Sequence, residues 1–444
     1  MRTPKFLIAA LTAFATVFAD AETKTSNGYE ITLKAERESA VYKIGEDATF
    51  KLTVKRDGKP VSGVKLAGNI TKDSVPPRLD FSGETDANGE FKSVGTLDEA
   101  GFLKCKIYVD VPATADKKAA RVEMLAGAGF DPLKIKPSAP APRDFDAFWN
   151  RQKKILKDIP MNVKLTRVNK PTSAYDIFDV QADTFNGKFS AYITMKKNSA
   201  PKSLPAIILP QGAGVYSSSI AGDWADNGFL ALSFNVHGIP NGKPNEFYRN
   251  LQRTTLRGYE TKNSNSRETI FFRTAFMRVM RAIEIATAQP QWDGKNLVIY
   301  GGSQGAGQAI AGAALRSDKI TLLVAKYPAL CDHTGIFVNR TTGWPHFVKT
   351  KDANGNFDRE KTEAARYVDA VNFAERVKCP AIFTIHYADD VCEPTSAFAA
   401  YNNIRTKKEL VPVTEARHLA PQWENDLMMK KIVDFVNEAK AKQK

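Results

Sequence analysis

The chain has 444 residues, 43% hydrophobic and 25% charged, with a formal net charge of +14. That length accommodates two domains and a large core, and the balance is ordinary for a globular protein. The lysines and arginines are scattered, with only doublets such as Lys153-Lys154 and Lys407-Lys408. They form neither the basic stripe nor the module of a nucleic-acid reader, so the charge reads as a solvated surface.

Residues 1–21 read as a secretory signal. Arg2 and Lys5 start it, Phe6–Phe18 is apolar, and Ala19-Asp20-Ala21 is a small-x-small cleavage site. The apolar run is too short to span a bilayer, and no later run is long enough. The first cysteine is Cys105, so none near the cleavage site could carry a lipid. An exported protein, periplasmic or secreted and without a membrane span, is expected.

Residues 28–127 read as an immunoglobulin-like β-sandwich. Phe50, Leu52 and Val54 alternate with polar residues up to Asp57-Gly58, Asn88-Gly89 marks a second hairpin turn, and Phe102–Val111 alternates again. Cys105 falls on the core side of that last strand. No exposed aromatic platform stands out, so a packing spacer is favoured over a carbohydrate-binding module. Residues 128–143, with Pro132, Pro137, Pro140 and Pro142, read as a stiff linker.

From 144 to 444 the pattern is that of an α/β domain with a mostly parallel sheet. Phe145–Leu156 is an amphipathic helix. Val163–Val168, Tyr175–Ala182, Phe189–Met195, Leu204–Leu209 and Phe229–Phe234 are strand-like, the last two being short apolar runs typical of central parallel strands. Phe276, Val279, Met280, Ile283 and Ala286 share a helical face. Leu322–Ala325, Ala381–Ile385 and Leu410–Val413 are further strands, and Glu424–Ala439 is a closing helix.

The most informative stretch is NLVIYGGSQGAGQAIAGAAL, residues 296–315. Leu297–Tyr300 is a buried strand and Gln308–Leu315 a helix of small residues, so Ser303 sits on a tight strand-to-helix turn in a G-x-S-x-G pattern. Such a turn lifts a serine oxygen out at the sheet's C-terminal edge and marks a nucleophile. A serine nucleophile needs a base, and the base needs an orienting acid. Of the five histidines, His418 alone lies between the last strand and the closing helix, where an α/β-hydrolase delivers its base. The acid is expected after Ala381–Ile385, where Asp389 and Asp390 are adjacent; His386 lies nearer that strand and reads as a core or cleft histidine. No CxxC pair or His/Cys spacing suggests a metal, and pairing among Cys331, Cys379 and Cys392 stays open.

Four segments carry a specific resemblance: PAPRDFDAFW (140–149), GGSQG (301–305), YVDAVNFAERVKCP (367–380) and DDVCEPTSAFAAYN (389–402). With them, the chain from about Asp131 onward resembles the acetyl xylan esterase and cephalosporin-C deacetylase family of carbohydrate esterases. The resemblance implies an α/β-hydrolase fold, a Ser303–His418–Asp389 triad and deacetylation of small acetylated sugars, with no cofactor. In the family's last motif the acid is the aspartate three residues before the cysteine position, which selects Asp389. The oxyanion hole it implies uses the backbone N–H groups of Gln304 and of Ala213, where the family has an aromatic residue. The chain departs from the family in three places. His237-Gly238-Ile239 stands for Arg-Gly-Gln, Gln211 for a histidine, and Arg417 and Leu419 flank His418 in place of Gly and Glu. His237 reads as a packing residue. The rival readings are an α/β-hydrolase peptidase of the prolyl-oligopeptidase kind and a non-catalytic carbohydrate-binding protein on a hydrolase scaffold. Substrates are expected to be acetylated oligosaccharides or other small acetyl esters; self-association stays open.

Overall fold

The computed structural model describes residues 22–168, 174–348, 351 and 354–442, so the signal-like segment 1–21 lies outside the described residues. Ten strands come first: β1 (Glu22–Ser26), β2 (Tyr29–Ala35), β3 (Val41–Tyr42), β4 (Ala48–Arg56) and β5 (Lys59–Pro60). They continue with β6 (Lys65–Lys72), β7 (Val75–Glu84), β8 (Glu90–Gly95), β9 (Gly101–Val111) and β10 (Ala120–Phe130). One sheet has the order β1-β2-β4-β5 with β8 also on β4, and the other β3-β10-β9-β6-β7. All pairs are antiparallel except β3 with β10. Ile31, Leu33, Phe50, Leu52, Val54, Cys105, Ile107 and Val109 are buried, so the alternation puts its apolar set inside as expected.

Two local expectations need correction. Asn88-Gly89 is a turn, with Asp86 Oδ1 accepting from Asn88 N and Glu90 N, but it does not close a hairpin. The strands it joins, β7 and β8, belong to different sheets, and Gly89 O instead accepts from Val54 N of β4. A turn signal identifies a reversal, not which strand pairs next. The linker expected at 128–143 also starts inside β10, which runs to Phe130. Its proline-rich remainder is bonded along its length. Asn402 Nδ2 donates to Pro132 O and Ile135 O, Arg340 to Lys136 O, and Arg366 to Pro140 O, while Ser138 N donates to Asp332 Oδ1.

The second part begins with α1 (Phe145–Lys157), then β11 (Lys164–Arg167), β12 (Tyr175–Thr184), β13 (Gly187–Lys196) and β14 (Leu204–Pro210). Next come α2 (Gly222–Asp226), β15 (Leu230–Phe234), α3 (Asn245–Arg253) and α4 (Phe271–Thr287). The remainder is β16 (Trp292–Gly302), α5 (Gln304–Leu315), β17 (Leu322–Lys326), α6 (Arg359–Arg366), α7 (Ala370–Ala374), β18 (Ala381–His386), α8 (Pro394–Asn403), β19 (Lys408–Val413) and α9 (Gln422–Ala441). Their sheet has the order β11-β12-β13-β15-β14-β16-β17-β18-β19. Strands β11 to β13 form an antiparallel meander, β13 pairs β15 antiparallel, and from β15 to β19 every pair is parallel. Ile207, Val298, Val324, Ile382 and Val411 pack under α2 and α9 with Trp224, Met428, Ile432 and Val436. The opposite face, with Ile208, Ile299, Leu323, Ala325 and Phe383, lies against α4, α5 and α8. Both faces are covered, which is why these strands read as unbroken apolar runs.

The two parts meet on β9. Residues 101–105 are buried at every position, although strand geometry sends alternate side chains to opposite faces. Cys105 faces the sandwich core. Phe102, on the other face, has its ring centroid 4.9 Å from that of Tyr387 and 5.3 Å from that of Phe398. On β10, a Cβ at Gly127 would lie 1.9 Å from Tyr387 O, so only glycine permits this approach.

Candidate active site

Strand β16 ends at Gly302 and α5 begins at Gln304, leaving Ser303 between them with φ 54° and ψ −126°. Positive φ is uncommon for a residue with a Cβ and stores strain at the turn. The flanking glycines make the turn possible. A Cβ at Gly301 would lie 2.3 Å from Gly305 O, and one at Gly305 would lie 2.5 Å from Pro210 O. Ser303 N donates to Lys326 O at 3.0 Å, which ties the turn to β17.

The side chain of Ser303 meets the end of β19. Its Oγ lies 2.9 Å from His418 Nε2, and His418 Nδ1 lies 3.1 and 3.0 Å from Asp389 Oδ1 and Oδ2. Asp389 follows β18 and is fully buried; its Oδ1 also accepts from Val391 N at 2.8 Å and Cys392 N at 2.9 Å. A carboxylate on one ring nitrogen fixes the proton there and leaves the other nitrogen to accept from the serine hydroxyl. Ser303, His418 and Asp389 are thus brought together beyond the C-terminal ends of β16, β19 and β18.

The neighbouring candidates are engaged elsewhere. Asp390 accepts from Arg417 Nη2 at 2.6 Å. Burial pushes its carboxyl up, yet the Arg417 hydrogen bond and charge hold it below the ordinary value. His386 is fully buried, with Nε2 2.8 Å from Glu424 Oε2 and Nδ1 2.5 Å from Arg417 O. Both nitrogens are committed, so it cannot serve as base and instead supports the residue before His418. Tyr327 fills the space between, its ring centroid 4.4 Å from that of His386 and 5.4 Å from that of His418.

The loop after β14 is held on both sides of Ala213, which is itself exposed. Gln211 Oε1 accepts from Val236 N and its Nε2 donates to Tyr216 O, each at 3.1 Å. Gly214 N donates to Tyr259 Oη at 3.0 Å, and Gly214 O lies 2.9 Å from His237 Nε2. Tyr259 Oη in turn donates to Gln304 Oε1 at 2.8 Å. Gln304 Nε2 reaches Gly212 O at 3.3 Å. The side chain of Gln304, whose sequence reading concerned only its N–H, therefore ties the loop to the head of α5. Its own amide begins a helix, where the first N–H groups lack intrahelical acceptors.

His237 packs edge-on against Tyr259 at 4.5 Å between centroids. Burial lowers its pKa to about 4, against the opposing hydrogen bond to Gly214. The neutral ring donates from Nε2 to the Gly214 carbonyl, so His237 packs as expected and also anchors the loop. An arginine does brace this strand end, from α4: Arg278 Nη1 donates to Val236 O at 3.1 Å. Tyr259 and Arg278 were missed in the sequence because neither lies in a motif.

All four cysteines are free and buried. Cys392 Sγ lies 4.0 Å from Ser303 Oγ. Asp389, Cys392 and His418 bring ligand atoms within 4.8 Å of one another. Burial pushes the Cys392 thiol far up, away from the thiolate that a metal takes. The Asp389 carboxylate is already bonded to two amides and the imidazole, so a serine–histidine–aspartate relay fits this group better than a metal site.

The family described as acetyl xylan esterase matches residues 131–437. The chain is 32% identical over 387 residues to acetyl esterase Axe7A of Xylanibacter ruminicola, covering 84% of each. Two solved structures share the fold. An acetyl xylan esterase from Paenibacillus sp. R4 superposes with a TM-score of 0.58 at 23% identity, over 68% of this chain and 97% of that one. Acetyl xylan esterase 1 from Thermoanaerobacterium sp. JW/SL YS485 does so with 0.56 at 22%, over the same shares. The peptidase reading finds no support in these relatives. The chain belongs to the acetyl xylan esterase family and is a carboxylic ester hydrolase with the α/β-hydrolase fold, preceded by an all-β region.

Proposed function

We propose that the protein is an exported serine esterase that removes acetyl groups from sugar hydroxyls, using Ser303, His418 and Asp389. The observation that carries this reading is the continuous line of hydrogen bonds from Ser303 Oγ through His418 to the buried Asp389 carboxylate. Export rests on the signal-like character of residues 1–21. The acetylated-sugar substrate rests on the family and on the acetyl esterase relative.

In this mechanism Ser303 Oγ attacks the acetyl carbonyl while His418 Nε2 takes its proton, and Asp389 stabilises the imidazolium. The N–H groups of Gln304 and Ala213 would receive the developing oxyanion; preorganised donors of this kind are worth roughly 10²–10³ in rate. His418 then hands its proton to the departing sugar oxygen, leaving an acetylated serine. Water, deprotonated by the same imidazole, releases acetate and restores Ser303. Every step uses side chains and amides of the chain.

The test is acetate release from acetylated xylo-oligosaccharides and from a small acetyl ester, for the wild type and Ser303→Ala. Loss of a triad serine typically costs on the order of 10⁶ in turnover. Retention of more than about 1% of activity would remove Ser303 from its role, and no release from any acetylated sugar would reduce the reading to a serine esterase.

A further inference from the structure

We propose that the β-sandwich is a working part of this active site, with Lys104 of β9 as the positioning residue for Asp389. The inference rests on the triad proposed above. Lys104 leaves β9 on the face opposite Cys105, where an isolated sandwich would show it to water; here it is buried. Its ammonium enters the turn between β18 and α8. Nζ donates to Asp389 O at 2.7 Å, to Glu393 Oε2 at 2.5 Å and to Ser74 Oγ at 3.4 Å. These partners use all three of its donors. Ser74, in the connection between β6 and β7, donates to Glu393 Oε1 at 3.0 Å.

The turn is thereby fastened from two sides. From within, the Asp389 carboxylate accepts from Val391 N and Cys392 N. From the sandwich, Lys104 fixes the Asp389 carbonyl and the Glu393 side chain at the head of α8. Remove the ammonium and the main chain of Asp389 loses its only side-chain bond from β9, although the carboxylate keeps its inner amides. The base loop has a similar tie: Glu123 of the adjacent strand β10 lies 3.0 Å from Arg417 Nη1, one residue before His418. Neighbouring strands of the sandwich thus hold the acid and base loops in register. A displacement of about 1 Å in a catalytic group can cost about 10²-fold in rate, which sets the scale of the effect.

Lys104→Met alone leaves the Glu393 carboxylate buried and unpaired, which threatens folding. The double variant Lys104→Met/Glu393→Gln removes both charges and is the decisive full-length protein. Activity on one small acetyl ester, circular dichroism and the downfield Nδ1–H proton resonance of His418 are measured beside wild type. Lys51→Met, which breaks the Lys51–Glu90 pair at 2.9 Å in the other sheet, is the control. We expect the folded double variant to lose about 10- to 100-fold in kcat with KM within about twofold, and its His418 resonance to shift. Wild-type kcat and an unmoved resonance would overturn the inference, as would a rise in KM alone. Failure of the wild type to hydrolyse the ester would instead overturn the proposed function.

Discussion

Arg417 and Asp390, the chain neighbours of His418 and Asp389, are bonded to each other, with Nη2 donating to Oδ2 at 2.6 Å. The loops that follow β18 and β19 are therefore joined both by the His418–Asp389 contact and by this pair beside it. Adjacent aspartates thus have separate tasks, and substituting each should give a different kinetic result.

Asp389→Asn should lower kcat by about 10⁴, because an amide no longer fixes the imidazole tautomer. Asp390→Asn removes a pair that is partly open to water, worth up to about 1 kcal/mol, so its loss should stay below about tenfold. Steady-state kinetics on one acetyl ester decides between them. Equal losses, or a reversed order, would transfer the orienting role to Asp390.

His237→Phe keeps a ring against Tyr259 and Phe271 but removes the donor to Gly214 O. If the 210–217 loop supplies an oxyanion N–H through Ala213, kcat should fall by about 3- to 30-fold, less than deletion of an oxyanion donor itself. KM for a small ester should hardly move. Unchanged kcat would mean that Gln211 and Tyr259 hold the loop without His237.

The same substitution carries a pH signature in stability. The folded pKa of His237, about 4, lies below its ordinary value of 6.5 because burial disfavours the charged ring. Between those values the unfolded chain binds a proton that the folded chain does not, so this group costs stability as pH falls from 6.5 towards 4. Above that window it contributes nothing. His237→Phe should therefore gain about 2–3 kcal/mol relative to wild type between pH 7 and pH 4.5, read from urea midpoints. Buried carboxyls pushed upward, such as Asp73 by burial beside Glu393 and Asp369 to about 6, act with the opposite sign but are common to both proteins. A pH-independent difference would mean that the ring protonates in the folded state.

Acetyl esters should be preferred over butyryl esters of the same leaving group. One methylene of mismatch in an acyl pocket is commonly worth about 1–3 kcal/mol, or roughly 10–200-fold. Ala213 gives the loop a methyl group where an aromatic is usual in the family's pattern, so the discrimination should lie near the lower end. Turnover of acetyl, propionyl and butyryl esters checks this; equal rates for acetyl and butyryl would contradict it.

The strand–turn–helix of the candidate site was legible because its local signals agree. Leu297–Tyr300, the glycines around Ser303 and the small residues of α5 each favour the same strand–turn–helix, and the structure extends that strand back to Trp292. His418 could be separated from the other histidines by its position after the last strand. Asp389 could not be told from Asp390 by residue type, and needed the spacing to Cys392 within a longer motif. The loop anchors were invisible for another reason. Tyr259 and His237 are far apart in sequence and meet only through tertiary packing, which no period of 2 or 3.6 records.

The sandwich shows the opposite limit. Its alternation identified the core face of β9, and Lys104 fell on the other face, where a lysine is normally solvated. That face is covered by a different part of the chain. The sequence pattern also gave the reversal at Asn88-Gly89 but not the change of sheet, since a strand's alternation is the same whichever neighbour it bonds. The proline-rich stretch looked detached because prolines stiffen a chain whether or not something grips it.

One apolar cluster runs from Ile31, Leu52 and Ile107 of the sandwich through Phe102 to Tyr387 and Phe398. Covalently the protein has two parts joined by a short segment, yet this cluster runs unbroken across both, while a second lies on the other face of the nine-stranded sheet under α2 and α9. Core strands open at the highest free energies, and packing shared between β9 and the β18–α8 turn couples their opening. Calorimetry should therefore record a single endotherm, with hydrogen exchange in β9 and β18 protected to the same free energy. Sequence drift in the sandwich would then be constrained by hydrolysis as well as by folding: a substitution near Phe102, more than 200 residues before His418, would lower the temperature at which the esterase survives.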